Sequence, residues 1–356
     1  VQHQRDLGRH QLVMGGWLRS NDYDLAGSDI ISFVQEIDSD SVISAFVQDE
    51  INLIEDELSL TIGLKVEHND LSPEELEVMP TVRLLWKPFD NHTLWAAVTR
   101  AVRTPSIADL SADVQDIVPV LPPGTPLNPT TVPGRVATVG SPNFESETNV
   151  AIEVGTRGQL SSVVSYDLAL FTMEYDDIRS ISPTDIVCDP SGVSWLLDPL
   201  CFLASESVTA LYEFTNVNES TISGFEATLD WMVGKDFRLR GALSYAYEDA
   251  TEYEPTLPTA GTYPEWQVSL RPEWSPSEHI DVAALIRYVD EVEFRSIDDY
   301  WQANVHVRWS PNDHWVMSLG VRNLLDDGKI EYNSELGDIV LTEIERTAFL
   351  NLRYSY

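Results

Sequence analysis

The sequence has 356 residues and carries 58 acidic and 22 basic side chains, a formal net charge of −36. This charge argues against a nucleic-acid partner, whose phosphates require a basic surface, and against electrostatic docking on anionic lipid. The apolar fraction of 43% argues against disorder, and no apolar run approaches the roughly 18 residues of a transmembrane helix.

The first residues, 1–6 (VQHQRD), contain neither an initiator Met nor the apolar segment of a secretory signal. We therefore expect the chain to start inside a longer protein. From residue 10 onward, apolar and polar residues alternate with a period of two, which predicts fourteen β-strands. The predicted strands cover residues 10–20, 41–54, 57–69, 77–87, 92–102, 148–158, 161–175, 222–233, 236–248, 263–275, 279–289, 299–309, 314–325 and 344–356.

Strand length separates a membrane barrel from a soluble sandwich. In residues 58–66, five aliphatic side chains fall on one face and polar residues or Gly63 fall on the other. Sandwich strands average about 5–6 residues, whereas a tilted strand needs about 9–11 residues to cross a bilayer. The predicted strands run to roughly 10–14 residues, which favours membrane-spanning strands.

Tryptophans mark the ends of these apolar faces. Trp301 and Trp309 lie at opposite ends of one face, and Trp266 and Trp274 do the same on another strand. Amphipathic rings favour the membrane–water interfaces and form the aromatic girdles of a barrel. The alternative is that they border a soluble core.

Short and long connections alternate along the chain, as the periplasmic turns and extracellular loops of an outer-membrane barrel do. The longest segments lie near 21–40, 103–147, 176–221 and 326–343, with shorter ones at 70–76, 249–262 and 290–298. We therefore predict an all-β fold, a transmembrane antiparallel β-barrel in the outer membrane, with these segments outside the cell.

Two of the long segments have a marked composition. Segment 21–40 holds six acidic residues and no Lys or Arg, which indicates either a solvated surface or a funnel for cationic ligands or divalent ions. Segment 103–147 is rich in proline, and loops of this length are functional or disordered. Its prolines are Pro105, Pro119, Pro122, Pro123, Pro126, Pro129, Pro133 and Pro142.

Several stretches resemble TonB-dependent receptors of the outer membrane. They are residues 45–50 (AFVQDE), 63–69 (GLKVEHN), 80–86 (PTVRLLW), 94–106 (LWAAVTRAVRTPS), 143–148 (NFESET) with 153–155 (EVG), 223–226 (SGFE) and 320–326 (GVRNLLD). The final strand, ending in Tyr354 and Tyr356, is similar to the C-terminal signal read by the outer-membrane insertion machinery.

The resemblance implies a barrel of twenty-two strands filled by an N-terminal plug, with a TonB box before the plug. The 356 residues would then be the C-terminal section of the barrel, its last fourteen strands, without the plug and the TonB box. The implied function is active uptake of a scarce nutrient, most simply a ferric siderophore or similar iron complex, energised by the TonB complex through the missing N-terminal region. Outer-membrane lipid and lipopolysaccharide would surround the barrel.

The residues themselves contain no catalytic or metal-binding motif, so we predict neither an enzyme nor a cofactor. Arg100 and Arg103 are the candidates for ligand binding, because scarce cations could contact an anionic chelate. The alternative is that these arginines form salt bridges with carboxylates of the lumen or the plug. The other arginines in this group are Arg83, Arg157, Arg238, Arg240, Arg308 and Arg322, most of them on predicted inner faces.

Cys188 and Cys201 lie in a predicted extracellular segment, where disulfides persist. We predict that they pair; free thiols or metal ligands are the alternatives.

Two other functions fit a barrel of fourteen strands. One is a passive outer-membrane channel. The other is a surface-binding barrel whose acidic loops are adhesive. A plug and a TonB box encoded upstream would exclude both.

Overall fold

The computed structural model describes residues 1–28, 30–116, 134–201, 205–251, 261–326, 328–332 and 342–356. Six of the eight prolines of segment 103–147 lie outside these residues. The described chain is nearly all strand, with one short helix, α1 (Ile107–Ser111). Among the described residues, no helix has the length and apolar character that a membrane span requires.

The strands are β1 (Gln2–Leu7), β2 (His10–Asp22), β3 (Ile31–Phe33), β4 (Ser39–Ile54), β5 (Leu58–Asn69), β6 (Glu77–Phe89), β7 (His92–Arg103), β8 (Ala112–Asp116), β9 (Gly134–Val139), β10 (Glu147–Ser161), β11 (Val164–Asp189), β12 (Val193–Ser194), β13 (Ser207–Val233), β14 (Phe237–Thr251), β15 (Trp266–Ser277), β16 (Ile280–Val289), β17 (Tyr300–Asn312), β18 (Trp315–Arg322), β19 (Gly328–Lys329), β20 (Ile344–Glu345) and β21 (Thr347–Tyr354).

Fifteen of the described strands form one antiparallel sheet, which we call the wall. Its order is β1–β2–β4–β5–β6–β7–β10–β11–β13–β14–β15–β16–β17–β18–β21, so wall strands pair in chain order. Each of the fourteen predicted strands is present in this wall. Within the described residues β1 pairs only with β2 and β21 only with β18, so the wall is an arc with two edges.

Strand β1 is the one wall strand that the sequence pattern missed. Apart from Leu7, its residues (QHQRDL) are polar on both faces, so the apolar alternation that reveals the other strands is lacking. It joins β2 through Gly8 and Arg9, with Leu7 opposite His10. Gly8 has φ +66°, a conformation that favours glycine and suits a two-residue hairpin turn.

The wall has two chemically different faces. Residues directly opposite in an antiparallel pair share a face, and the register places Ile62 opposite Val82, and Val82 opposite Val98. All three are exposed, at 45–48%. We call this apolar side the outer face. Its exposed aliphatic residues include Val47, Leu64, Leu84, Ile152, Leu170, Leu270, Leu319, Leu350 and Leu352.

Tryptophans lie at the ends of the outer face, as predicted. Trp301 and Trp309 are both exposed on β17, eight residues apart on the same side, and Trp266 and Trp274 are both exposed on β15. The rings of Trp315 and Tyr354 contact each other across β18 and β21 at a centroid separation of 4.9 Å. The outer face thus has the aromatic borders of a membrane barrel.

The long connections meet at one end of the wall, which we call the long-loop rim; the opposite end is the short-turn rim. Strands β11 and β13 extend past their neighbours as a hairpin, so much of segment 176–221 is paired strand rather than loop. Strand β9 pairs with β13 in parallel, β8 pairs with β9, and β3 pairs with β8. Segments 21–40, 103–147 and 176–221 are therefore joined by backbone hydrogen bonds.

An apolar cluster lies within these joined segments. Leu110, Phe144 and Phe214 are buried together, and Phe144 is only 1% exposed. Ile37, Leu71 and Ile181 pack around them, so four different connections contribute to one small core. We call this assembly of segments 21–40, 70–76, 103–147 and 176–221 the loop body.

Candidate ligand-binding site

The inner face of the wall is polar and carries paired charges near the short-turn rim. The Arg238 guanidinium makes two hydrogen bonds to Asp230, and Arg240 lies 3.3 Å from Glu273. Farther round the arc, Arg308 pairs with Asp281 at 3.0 Å. These arginines were predicted to lie on inner faces, and the structure places them there, each with a carboxylate partner. This agrees with the salt-bridge alternative for the arginines of the lumen.

Arg103 lies at the end of β7 that meets the loop body. Its Nε and Nη2 donate to the two carboxylate oxygens of Glu147 at 2.7 and 2.6 Å. Its Nη1 lies 3.4 Å from Asp109 Oδ2. A bidentate arginine–carboxylate pair fixes both orientation and distance, so Arg103 ties β7 to β10 and to α1. Its ligand-binding role stays a prediction.

Asp109 is the centre of this charged cluster and is 1% exposed. It accepts hydrogen bonds from the Ser106 backbone and hydroxyl at 2.9 and 2.8 Å, which makes it the N3 residue of a capping box on α1. Its other oxygen lies 3.5 Å from Arg179 Nη1. The Arg179 guanidinium also stacks over the Phe214 ring, 4.6 Å from the centroid. The cluster therefore joins segment 103–147 to segment 176–221.

Asp109 and Arg179 were not singled out by the sequence analysis. A local signal existed for Asp109, because Ser106 followed by an acidic residue three positions later is a capping-box pattern. No local signal marks Arg179, whose partner is 70 positions away in the chain. Only the pairing of the extended hairpin brings the two together.

Arg100 lies on the other side of the wall from Arg103. The register sets it opposite Val150, in line with the outer-face residues Val98 and Ile152. Its Nη1 donates to the Val78 carbonyl oxygen at 2.6 Å. The two candidate ligand-binding arginines are thus on opposite faces, and a ligand in the lumen would reach Arg103 but not Arg100. The remaining predicted arginines, Arg83, Arg157 and Arg322, are on the inner face.

A hollow of about 590 Å³ opens on the wall near the short-turn rim. Its charged lining comes from Asp90, Arg157, Asp167 and Asp230. Arg157 and Asp167 are directly opposite each other on β10 and β11. The hollow therefore carries both positively and negatively charged side chains.

The sulfur atoms of Cys188 and Cys201 are 1.98 Å apart, at the far end of the β11–β13 hairpin. Cys188 is fully buried and packs against Val208, Ile186 and Trp195. The described residues include no group of three or more His, Cys, Asp or Glu side chains arranged to hold a metal ion.

Two connections at this rim contain titratable groups held by specific contacts. Asp70 accepts hydrogen bonds from the hydroxyl and the backbone of Ser41, at 2.6 and 2.9 Å, and these bonds lower the pKa of the Asp70 carboxyl. The Tyr23 hydroxyl donates to the buried Asp40 carboxylate, which raises the pKa of Tyr23. The first contact ties connection 70–76 to β4, and the second joins the two ends of segment 21–40.

The family model for TonB-dependent receptor-like β-barrels matches residues 1–324. No curated protein sequence matches the chain. Solved structures do: the siderophore receptor PirA from Acinetobacter baumannii has a TM-score of 0.67 at 16% identity, and the ferric enterobactin receptor PfeA from Pseudomonas aeruginosa has 0.70 at 17%. Each match covers all of this chain and 53% of the other chain. FpvAI, solved in complex with pyocin S2, has a TM-score of 0.62 at 14% identity, over 99% of this chain and 48% of that one.

Proposed function

We propose that this chain, which belongs to the TonB-dependent receptor family of outer-membrane β-barrels, acts in the active uptake of a ferric siderophore or a similarly bulky iron complex. The single observation that carries the proposal is the family match over residues 1–324. The fold of PirA and PfeA, both named as receptors for siderophores or their iron complexes, supports it.

The geometry is consistent with such a route. Strands with an apolar outer face and a polar inner face separate lipid from a lumen. The long connections gather at one rim, where a ligand from outside would first make contact. The proposed transport includes no catalytic step, and energy would come from the TonB complex.

The chain spans about half the length of the solved structures that it matches. We propose that the 356 residues are the C-terminal section of the barrel. The plug and the TonB box would be supplied by the rest of the protein. Lipid and lipopolysaccharide would contact the outer face, and Arg100 would lie on that side.

Deletion of the gene tests the proposal directly. Cells grown under iron limitation should lose uptake of radioactive iron presented as a siderophore complex, and the intact gene should restore it. Deletion of TonB in cells that keep the gene should abolish the same uptake. Uptake that persists without TonB would indicate a passive channel, and unchanged uptake after gene deletion would indicate a surface-binding role.

A further inference from the structure

The outer face of the wall carries few positive charges. Among the Lys and Arg residues that the register pairs below the loop body, only Arg5 and Arg100 lie on the outer face. Arg5 is on β1 near the short-turn rim, and Arg100 is on β7 near the long-loop rim. A cation on the lipid side of a barrel is costly at the centre of the bilayer but costs little at its surfaces. The height of Arg100 on the wall therefore decides which groups it can meet.

The position of Arg100 along β7 places it at the upper border of the apolar face. On β15 and β17, the two tryptophans that border this face are eight residues apart. Arg100 likewise lies eight residues after His92, whose ring contacts those of Phe89 and Tyr166 near the short-turn rim. A strand tilted by about 40° rises about 20 Å over that length, and the apolar band of a barrel is about 25 Å tall. The guanidinium of Arg100 can therefore reach the lipid headgroups on the long-loop side.

A gap in the pairing of β6 with β7 holds the Arg100 side chain. The ladder between these strands ends at Thr81, and the next residue on β6, Pro80, has no N–H with which to continue it. Beyond this point β6 stays paired with β5, and β7 with β10. Arg100 Nη1 donates to the Val78 carbonyl oxygen across the gap, at 2.6 Å. This hydrogen bond fixes the guanidinium between the two strands on the lipid side.

The Arg100 guanidinium keeps most of its N–H groups for another acceptor. The bond to Val78 is the only hydrogen bond or ion pair that it makes among the described contacts, so it has no carboxylate partner there. The side chains beside it on this face are aliphatic and accessible: Val78, Val98 and Ile152 are 41–48% exposed. A single cation thus lies among exposed aliphatic side chains.

The usual aromatic border is missing at this place. On the described wall strands β4, β5, β6, β7 and β10, no Trp, Tyr or Phe lies on the outer face near the long-loop rim. Arg100 occupies the height that Trp266 and Trp301 occupy on β15 and β17. A guanidinium binds a phosphate through two parallel hydrogen bonds, which an indole cannot do. This part of the border therefore suits a phosphorylated lipid, whose acyl chains would cover the aliphatic side chains.

We propose that Arg100 binds a phosphate group of the lipid A part of lipopolysaccharide, and that Val78, Val98 and Ile152 contact the acyl chains of the same molecule. The inference rests on the proposed function, because that function places the long-loop rim outside the cell and Arg100 in the outer leaflet. It adds a lipid-binding site on the outer face, separate from any ligand route through the lumen.

Titration of the detergent-solubilised full-length receptor with lipid A tests the site. Lipid A with its phosphates intact should bind about tenfold or more tightly than lipid A from which the phosphates have been removed, because charged hydrogen bonds are lost with them. In Arg100→Gln this preference should vanish, since the amide carries no charge. In Arg100→Lys part of it should remain, because the charge is kept and the paired donors are lost.

The matched control is Arg5→Gln, which removes the other outer-face arginine, near the opposite rim. It should keep the full preference for phosphorylated lipid A, because its site lies in the other leaflet. The slower migration of each variant on gels after heating, compared with the unheated sample, shows that its barrel is folded. If Arg100→Gln does not fold, the comparison of Arg100→Lys with the wild type decides instead.

Three results would overturn the inference. An unchanged preference in folded Arg100→Gln and Arg100→Lys would show that Arg100 only satisfies the Val78 carbonyl. An equal loss in Arg5→Gln would show a general effect of surface charge. Displacement of lipid A by inorganic phosphate, or equally tight binding of phosphatidylglycerol, would show that any phosphate is accepted. None of these results bears on iron uptake, which the deletion of the gene tests separately.

Discussion

In the wall, each strand pairs with the next wall strand along the chain, whereas the loop body joins residues far apart in sequence. Ser32 contacts Asp113, 81 positions away, and the Glu145 backbone bonds to Asn216, 71 positions away. The wall has no apolar core of its own, because one face meets lipid and the other a lumen. The loop body has a core, although it is made of connections. The two regions should therefore respond to different substitutions.

The largest expected effect is in the loop body. Phe144→Ala would empty the centre of the cluster formed with Leu110 and Phe214, and truncating a buried Phe costs about 3–5 kcal/mol. Hydrogen exchange should speed up in β8, β9 and the outer half of the β11–β13 hairpin, and stay unchanged in β14–β17. The control Leu350→Ala, on the exposed outer face, should leave the loop body protected. If Phe144→Ala also speeds hydrogen exchange throughout the wall, the loop body and the wall are not separate cooperative units.

A pair of adjacent substitutions tests the faces of the wall. Leu319 is 52% exposed on the outer face, and Ser318 points to the inner face beside Asn351. Leu319→Arg should destabilise the folded barrel by about 3 kcal/mol, because it sets a charge in hydrocarbon. Ser318→Arg should cost much less. Urea unfolding in lipid vesicles measures both, and equal losses would count against the assignment of faces.

The disulfide should act on the tip of the loop body alone. The double substitution Cys188→Ser with Cys201→Ser opens the loop that the disulfide closes, whose ends are separated by 13 in sequence. In the chain-entropy model, such a disulfide stabilises the folded protein by up to about 3 kcal/mol. Proteolysis between residues 185 and 201 should become faster while cleavage elsewhere does not. Labelling of both thiols in the untreated native protein would show instead that the cysteines do not pair.

The smallest effect concerns the contact between Asp70 and Ser41. Because the Asp70 pKa is lowered in the folded protein, the contact stabilises the rim above the ordinary carboxyl pKa and is lost as pH falls through the lowered value. Protection of the Ser41 amide should fall over that acidic range. In Asp70→Asn the pH dependence of Ser41 amide protection should disappear. If the variant keeps the pH dependence of the wild type, a group other than Asp70 is responsible.

The wall could be predicted from the sequence because its strands have a local pattern. The loop body could not, because its contacts join residues far apart in the chain. In β5 or β17, period-two alternation is a local property imposed by lipid on one side, so Ile62 and Trp301 can be assigned to a face from neighbours alone. Strand β1 could not be predicted in this way because its outer face carries the polar residues His3 and Arg5. The parallel pairing of β9 with β13 depends on a contact over more than 70 positions, for which no local pattern exists.

The candidate site divides in the same way. That most of the arginines face inward follows from alternation, and the structure agrees for Arg103 and Arg240. The outer position of Arg100 also follows from the parity of β7, three residues from Arg103, once the wall register is known. The partners of Arg103 could not be derived, because Asp109 and Glu147 reach it only through the packing of the loop body.

Spin labels placed singly at residues 301–309 of β17, in the protein reconstituted in lipid, would test the two-faced membrane wall most directly. Labels at odd positions, from Trp301 to Trp309, should be accessible to oxygen dissolved in the bilayer. Labels at even positions, from Gln302 to Arg308, should be accessible to a water-soluble nickel complex, with the two profiles out of phase along the strand. Profiles that do not alternate, or in which both faces are equally accessible to water, would contradict a wall with lipid on one side and a polar lumen on the other.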